Sequence, residues 1–139
     1  MRVLGLDVGE RRIGVALSDA LGLTAQRLTV IERHEAGQDV QAVAALANAH
    51  EADALVIGLP LTMRGERGEQ AQRVMMFVEA VREVVRCPVH LVDERLTTVQ
   101  GERALIAMDT SRGTRKRLID QVAAQLILQT YLDAHTPQR

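Results

Sequence analysis

Aromatic side chains are scarce in this sequence, since Phe77 and Tyr131 are the only Phe, Tyr or Trp among 139 residues. Proteins that bind single-stranded DNA or RNA commonly stack the bases on aromatic side chains. The composition therefore argues against base stacking of that kind. It also means that the core has to be built from aliphatic residues and methionine.

Cysteine and long apolar runs are also missing. Cys87 is the only cysteine, so no internal disulfide can form, which suits a reducing cytosol. The acid at Asp7 interrupts the N-terminal apolar segment and argues against a signal peptide, and no apolar run approaches the ~20 residues that span a membrane. We expect a cytoplasmic protein without a membrane partner, folded as one domain over residues 1–139.

Lysine is nearly absent too, because Lys116 is the only lysine among 17 basic residues. Arginine offers a planar fork that binds phosphate through two hydrogen bonds. A compositional bias of the genome explains the same preference equally well. The net charge of −1 does not by itself indicate a nucleic-acid-binding protein.

Hydrophobic periodicity predicts the element order β β β α β α β α α. Strands are expected at residues 2–7, 13–17, 23–31, 54–58 and 89–92, and helices at about 37–50, 71–85, 97–108 and 118–132, with a polar loop at 109–117. Three hairpin-linked strands followed by alternating helices and strands predict an α/β fold. We expect a five-stranded mixed sheet, with strands 1–3 antiparallel and helices on both faces.

Asp7 ends the first apolar strand, and Gly9 follows it two residues later. A carboxylate at the end of a central strand usually points into the crevice where ligands bind. A glycine in the following turn leaves that crevice uncovered. The alternative is an aspartate that only caps the turn.

Two adjacent acids, Asp93 and Glu94, follow the fifth strand just before Arg95. Thr97 and Gln100 have the spacing of a capping box, which predicts that a helix begins there. The two acids could therefore belong to a functional site, or they could only complement the dipole at the start of that helix.

Asp120 lies within the last predicted helix, on the same face as Ala123, Ala124 and Ile127. An unpaired acid on such an apolar face would be costly. A metal ion could compensate for the charge, and so could a nearby arginine such as Arg95. The sequence leaves both possibilities open.

Acids from a strand end, a strand–helix junction and a late helix together suit Mg²⁺ or Mn²⁺, which prefer oxygen ligands. Two such ions ~3.5–4 Å apart can promote phosphodiester hydrolysis. The four histidines are scattered and Cys87 is alone, so neither a zinc site nor a Ser–His–Asp site is supported.

Two basic segments could hold phosphate. The loop after the fourth strand carries Arg64 and Arg67 among glycines, which suits an anion, although it could be a plain connection. The densest basic run is Arg112, Arg115, Lys116 and Arg117, beside Asp120. It could contact a nucleic-acid backbone or remain a solvated loop.

Four ordered motifs, which span nearly the whole chain, resemble the YqgF family, also called RuvX, of ribonuclease H-like proteins. They are Gly5-Leu6-Asp7-Val8-Gly9 with residues 12–19, Val56-Ile57-Gly58-Leu59-Pro60-Leu61, Val92-Asp93-Glu94-Arg95-Leu96-Thr97-Thr98, and Asp120 with Ala123, Ala124 and residues 126–129. Glu10 departs from the pattern, in which a small or basic residue is commoner.

The resemblance implies a metal-dependent nuclease in which Asp7, Glu94 and Asp120 are the catalytic, metal-binding acids, with Mg²⁺ or Mn²⁺ as cofactor. It implies two substrate classes, the 5′ end of precursor 16S rRNA and four-way Holliday junction DNA. A homodimer would favour the junction, because resolution needs two coordinated cuts. Residues expected to contact nucleic acid are Arg11, Arg12, Arg64, Arg67, Arg95, Arg112, Arg115, Lys116 and Arg117.

Two alternatives remain open at this level. A phosphotransferase of the actin and sugar-kinase superfamily shares the Asp-x-Gly opening, but it needs a second domain for which 139 residues leave no room. A non-catalytic RNA- or junction-binding factor could retain the fold without converging acids, since a fold does not by itself fix a function.

Overall fold

The structure, a computed structural model, describes residues 1–97 and 112–135, with the side chains of residues 112–115 left aside. The helix expected at 97–108 lies almost entirely outside the described residues. The strands are β1 (Val3–Val8), β2 (Arg12–Ser18), β3 (Ala25–Glu32), β4 (Ala54–Leu59) and β5 (Val89–Asp93). The helices are α1 (Ala36–Ala49), α2 (Glu69–Val84), a short 3-10 helix (Glu94–Leu96) and α3 (Arg112–His135).

The five strands form one sheet in the order β3-β2-β1-β4-β5. β1 pairs antiparallel with β2, and β2 with β3, whereas β4 runs parallel to both β1 and β5. The hairpins join the antiparallel neighbours, and the parallel pairs are linked through helices, as crossover connections require. The predicted α/β mixed sheet with antiparallel strands 1–3 is confirmed.

Helices cover both faces of the sheet, and the alternation of side chains along each strand separates two cores. On one face, Leu4, Leu6 and Val8 of β1 pack with apolar residues of α1 and α2. On the other face, Val3 of β1 and Val56 of β4 pack with residues of α3. β1 and β4 are buried along their whole lengths. The continuous apolar sequence of β4 predicts this, whereas in β1 the burial includes the acid Asp7.

α3 approaches the sheet closely because three strands present glycines to it. A Cβ on Gly5 would lie 2.7 Å from Cβ of Leu128, and a Cβ on Gly58 would lie 2.5 Å from Cδ1 of Ile127. A Cβ on Gly14 would overlap the backbone carbonyl of Asp120. Because these three positions have no side chains, α3 can pack close against the strands.

Two glutamines of α3 bind the backbone of Ala25 at the start of β3. Gln129 Oε1 accepts from the amide of Ala25 at 2.9 Å, and Gln125 Nε2 donates to its carbonyl at 2.9 Å. Side-chain amides thus satisfy backbone groups that a further strand would otherwise pair with. They also fix the lateral position of α3.

The polar loop predicted for residues 109–117 is wrong from Arg112 onward, since α3 already begins there. Arg and Lys are good helix formers, so a polar, basic segment can extend a helix as readily as it forms a loop. Within the described residues, none of the helices is both long and apolar enough to cross a membrane.

Candidate active site

Asp7 is a buried acid one residue from the end of β1, with 5% of its surface exposed. Its neighbour on β2 is Gly14, which is paired with it in the antiparallel register. Because side chains alternate along a strand, Asp7 lies on the same face as Val3 and Gly5, the face covered by α3. The carboxylate therefore belongs to the layer between the sheet and α3.

Asp120 is positioned over the same spot by α3. Its backbone lies directly against Gly14, the residue paired with Asp7. Ala123, Ala124 and Ile127, which share its face of the helix, are all buried against the sheet. The position predicted for Asp120, on a face of small residues, agrees with the structure.

Arg12 holds the carboxylate of Asp120. Nε of Arg12 donates to Oδ2 of Asp120 at 2.8 Å, and the two side chains are 20% and 17% exposed. The sequence suggests Arg95 as a partner for Asp120, and this expectation is wrong, because Arg95 pairs with Asp93 instead. Arg12 and Asp120 are 108 positions apart in the chain, so no local pattern could have identified the pair.

Glu94 follows β5 as the first residue of the 3-10 helix. The Cγ of Glu94 lies 3.0 Å from the position that a Cβ on Gly58 would take, and that position faces α3. In the parallel register, Leu6 is paired with Ile57, so the next step along both strands brings Asp7 beside Gly58. Glu94 and Asp7 are therefore separated by the width of β4 and lie on the same face.

Asp7, Glu94 and Asp120 thus come from three elements to one corner of the α3 face. Their carboxylates offer only oxygen donors, the chemistry that Mg²⁺ and Mn²⁺ prefer. Among residues 1–97 and 112–135, no three acid, histidine or cysteine side chains are grouped closely enough to hold a metal ion in this arrangement. The donor chemistry fits, but the three carboxylates are not grouped closely enough to share an ion, and Oδ2 of Asp120 is occupied by Arg12.

Asp93 has a structural role beside this corner. Its Oδ1 accepts from the backbone amide of Arg95 at 2.9 Å, which caps the 3-10 helix, and its Oδ2 accepts from Nη2 of Arg95 at 2.7 Å. The side-chain hydrogen bonds from Arg95 lower the pKa of Asp93 below its ordinary value, and the backbone bond acts in the same direction. The helix-capping interpretation therefore applies to Asp93.

The loop between β4 and α2 packs against Arg95. The guanidinium of Arg95 lies 3.2 Å from the position of a Cβ on Gly65, whose φ is +81°, and it donates to the carbonyl of Met63 at 3.4 Å. Arg64 and Arg67 of this loop are exposed, as are the side chains of Met63 and Leu96. Arg95 thus brings a loop with two solvent-accessible arginines next to the segment that carries Glu94.

The basic run beside Asp120 lies on the first turns of α3. Lys116 and Arg117 are exposed, and Arg117 is 3.7 Å from Glu32 in a surface ion pair. The side chains of Arg112 and Arg115 lie outside the described residues. Arg11, next to Arg12 in the first hairpin, is exposed as well. Arg95 in the 3-10 helix is exposed as well, so the accessible residues of the predicted nucleic-acid set come from the first hairpin, the β4–α2 loop, the 3-10 helix and the start of α3.

A buried ion pair that was not predicted from the sequence lies behind the turn between β1 and β2. Nε of Arg33 donates to Oδ2 of Asp39 at 3.1 Å, and Asp39 is only 2% exposed. Nη1 of Arg33 also donates to the carbonyl of Gly9 at 2.9 Å, and its guanidinium lies over the ring of Phe77. Arg33 therefore supports the turn that follows Asp7. The sequence did contain a signal for this pair, because Asp39 is a charged residue within the apolar pattern of α1.

Comparison with known proteins identifies relatives over almost the whole chain. A protein from Caldanaerobacter subterraneus subsp. tengcongensis is 50% identical over 135 residues, which covers 96% of this chain and 97% of the relative. A protein from Myxococcus xanthus is 47% identical over 137 residues, covering 99% and 91%. Both carry the name "Putative pre-16S rRNA nuclease".

Solved structures share the fold at much lower identity. RuvC of T. thermophilus in complex with a Holliday junction substrate superposes with a TM-score of 0.63 at 19% identity, covering 99% of this chain and 98% of that one. The fowlpox virus resolvase in complex with Holliday junction DNA gives a TM-score of 0.60 at 11% identity, covering 99% and 100%. The ribonuclease H-like fold predicted from the sequence is thereby confirmed.

The family assignment follows from a match to the sequence model described as "RuvX: Holliday junction resolvase", which extends over residues 1–134. It agrees with the resemblance drawn from the four motifs. The relatives at 44–50% identity match the chain along nearly its full length. The chain therefore belongs to the RuvX family of ribonuclease H-like proteins.

Proposed function

We propose that this protein is a divalent-metal-dependent nuclease that hydrolyses phosphodiester bonds, with Asp7, Glu94 and Asp120 as its metal-binding and catalytic acids. The observation that carries the proposal is the placement of Asp120 by α3 over Gly14, the residue paired with Asp7. Membership in a family whose model is described as a Holliday junction resolvase supports the reaction class.

Each of the three acids would have a distinct structural basis for its role. Asp7 is held rigidly in a buried central strand, Glu94 is fixed by the 3-10 helix next to the Asp93–Arg95 pair, and Asp120 is carried by α3. Mg²⁺ or Mn²⁺ bound by these carboxylates would supply an activated water and stabilise the negative charge that develops on the phosphate.

The arginines around this corner suit a phosphate backbone. Arg64 and Arg67 are exposed in the loop that packs on Arg95, and Lys116 and Arg117 are exposed at the start of α3. Such contacts position a nucleic acid without reading its sequence. With so few aromatic residues in the chain, binding would rest on charge and shape rather than on stacking.

The substrate would be the 5′ end of precursor 16S rRNA, four-way junction DNA, or both. The names of the close relatives favour the RNA, and the description of the family favours the junction. Junction resolution would require two copies of the site, so with the junction as substrate the protein would act as a homodimer.

A non-catalytic nucleic-acid-binding factor is the second candidate. The pairing of Asp120 with Arg12 favours it, because in that case the acid would have a structural role and need no metal ion. Such a protein would bind nucleic acid without cutting it, with or without the three carboxylates.

Asp7→Asn separates the two candidates. Asparagine keeps the shape of the side chain but removes the charge that would bind the ion, and the loss of several kcal/mol of stabilisation predicts cleavage at least about a hundredfold slower. Binding should be retained or slightly tighter, since one anion near the phosphates is removed.

Cleavage should be measured side by side on a four-way junction and a precursor 16S rRNA fragment, with Mg²⁺ and with Mn²⁺. Glu83→Gln, an exposed position on α2, is the matched control and should cut at the parent rate. If folded Asp7→Asn cut either substrate as fast as the parent, the nuclease proposal would be wrong at its strongest residue.

A further inference from the structure

The loop between β4 and α2 exposes a methionine at the end of the sheet where the candidate acids lie. β4 lies between β1, which carries Asp7, and β5, which Glu94 follows. Met63 is four residues beyond the end of β4, and its side chain is 91% exposed. Among the large apolar side chains of the described residues, it is the most exposed. The chain therefore leaves the sheet between two candidate acids and then presents an apolar side chain to solvent.

The turn that carries Met63 is closed by hydrogen bonds of its own. The amide of Thr62 donates to the carbonyl of Glu66 at 2.9 Å, and the amide of Gly65 donates to the carbonyl of Thr62 at 2.8 Å. The hydroxyl of Thr62 accepts from the amide of Glu66 at 3.1 Å. Because this turn is already ordered, little conformational freedom is lost when Met63 packs against a partner.

Leu96 is a second exposed apolar side chain supported by the same contacts. It follows Arg95 in the 3-10 helix and is 73% exposed. The guanidinium of Arg95 packs on Gly65 and donates to the carbonyl of Met63, so the 3-10 helix and the loop support each other. Met63 and Leu96 therefore belong to one supported surface, which also carries Glu94.

Exposed arginines lie next to Met63. Arg64 follows it directly, and Arg67 is in the same loop. Even with Glu66, residues 60–68 carry a net positive charge. Arginines can neutralise the phosphates of a nucleic acid, whereas its bases offer apolar ring faces. The combination of an apolar tip and flanking positive charge therefore favours a nucleic-acid partner.

Bases offer their ring faces only where stacking is interrupted. A paired duplex presents base edges in its grooves, whereas an unpaired nucleotide exposes the ring itself. Proteins often cover such a ring with an aromatic side chain, but Phe77 and Tyr131, the only two aromatic residues, are 5% and 8% exposed. Methionine and leucine can also insert between bases, and the methionine sulfur packs favourably on aromatic rings. Met63 and Leu96 offer such a contact beside the acids.

We propose that Met63, with Leu96 beside it, packs on the face of an unstacked base. The protein would then select duplexes that are interrupted by an unpaired nucleotide or a branch point. Arg64 and Arg67 supply affinity for any phosphate backbone, and Met63 supplies the discrimination between interrupted and continuous duplexes. The inference rests on the proposed function and narrows its substrate class.

The test compares two forms of one RNA duplex, fully paired and with a single unpaired nucleotide. Affinities are measured by fluorescence anisotropy in EDTA, so that no strand is cut. The parent should prefer the interrupted duplex, and Met63→Ser should lower that preference about tenfold, as expected when the burial of one methionine side chain is lost. Met76→Ser is the matched control, because Met76 is 75% exposed on α2, and it should keep the preference of the parent.

Two further measurements distinguish contact with a base from contact with phosphate. The fluorescence of 2-aminopurine at the unpaired position rises when that base is unstacked. It should therefore rise when the parent, Met76→Ser or the apolar variant Met63→Leu binds, but not when Met63→Ser binds. Met63→Ser should also keep the parent's slope of log affinity against log salt, since no charge is removed, whereas Arg64→Gln should lower that slope.

Failure of the proposed function and failure of the base contact give different results. A four-way junction and a paired DNA duplex form a second pair of probes, and a preference that depends on Met63 in either pair supports the inference. If the parent binds none of the four probes, the proposed function is wrong as well. If it binds them but Met63→Ser keeps the parent's preference in both pairs, only the base contact is wrong. Met63→Gln replaces Met63→Ser should the latter fail to fold by circular dichroism.

Discussion

Gly14 of β2 and Asp120 of α3 are packed so closely that a single methyl group on Gly14 would overlap the backbone of Asp120. The contact joins the strand next to Asp7 with the helix that carries the third acid. Backbone-to-backbone packing of this kind cannot be relieved by rotating a side chain. It therefore determines where Asp120 is placed relative to Asp7.

Gly14→Ala should displace α3 and destabilise the protein. Overpacking of a tight interior commonly costs about 1–3 kcal/mol, which urea unfolding would measure. Gly37→Ala is the matched control, because nothing lies within 4 Å of a Cβ there and the residue is in α1. Alanine in a helix should stabilise the control by about 0.5–1 kcal/mol. Equal stability of both variants would contradict the close packing.

The Arg33–Asp39 pair should be a major source of stability for the first turn. Arg33→Met keeps the apolar stem but leaves Asp39 without its ion-pair partner and the carbonyl of Gly9 without its donor. Breaking such a buried pair commonly costs about 3 kcal/mol or more, measured as the change in the free energy of unfolding.

Arg73→Met is the control for this prediction, because Arg73 pairs with Glu10 and Glu69 at the surface. Exposed pairs contribute about 0–1 kcal/mol, so Arg73→Met should have little effect. If Arg33→Met lowered the free energy of unfolding no more than Arg73→Met does, burial would add nothing to the stability that the Arg33–Asp39 pair contributes.

Asp93 should contribute stability that depends on pH. Hydrogen bonds from the Arg95 side chain lower its pKa in the folded protein, so the contribution is present above the ordinary carboxyl pKa of about 4. It is then lost as the pH falls through the lowered pKa. In Arg95→Gln, an NMR titration should show the pKa of Asp93 moving up toward its ordinary value. An unshifted titration would mean that Arg95 is not the cause.

Lys116 should bind phosphate at the start of α3. Lys116→Gln should weaken binding to all sequences alike and lower the slope of log affinity against log salt by about 0.9, the value for one phosphate contact on duplex DNA. Arg86→Gln makes the same change in charge on the side away from the acids and should keep the parent slope. If Lys116→Gln also keeps the parent slope, Lys116 is only a solvated residue.

The fold could be predicted because its signals are local. Alternation around Gly5 in β1 and the continuous apolar run of β4 identify strands, and the period of α1 and α2 identifies helices, within a few residues of the observed ends. The start of α3 was wrong because a basic, polar segment has no apolar period to distinguish a helix from a loop.

The candidate site was only partly predictable for a related reason. Asp7 and Asp120 were identified because a charge interrupts an apolar pattern, and Glu94 through the resemblance to the family. The partner of Asp120 was not predictable, since Arg12 is distant in sequence and looks like any other residue of a turn. Gly14 gave no signal either, because only the packing of α3 explains why a side chain is excluded there.

The order of the elements along the chain has a consequence for synthesis. α3 is the last helix described, and it supplies both the cover for one sheet face and the acid Asp120. Chains fold from the N-terminus as they are made. A nascent chain would therefore expose the apolar side chains of that face until α3 emerged from the ribosome. The three acids come from β1, the 3-10 helix and α3, so they could not come together before α3 had been made.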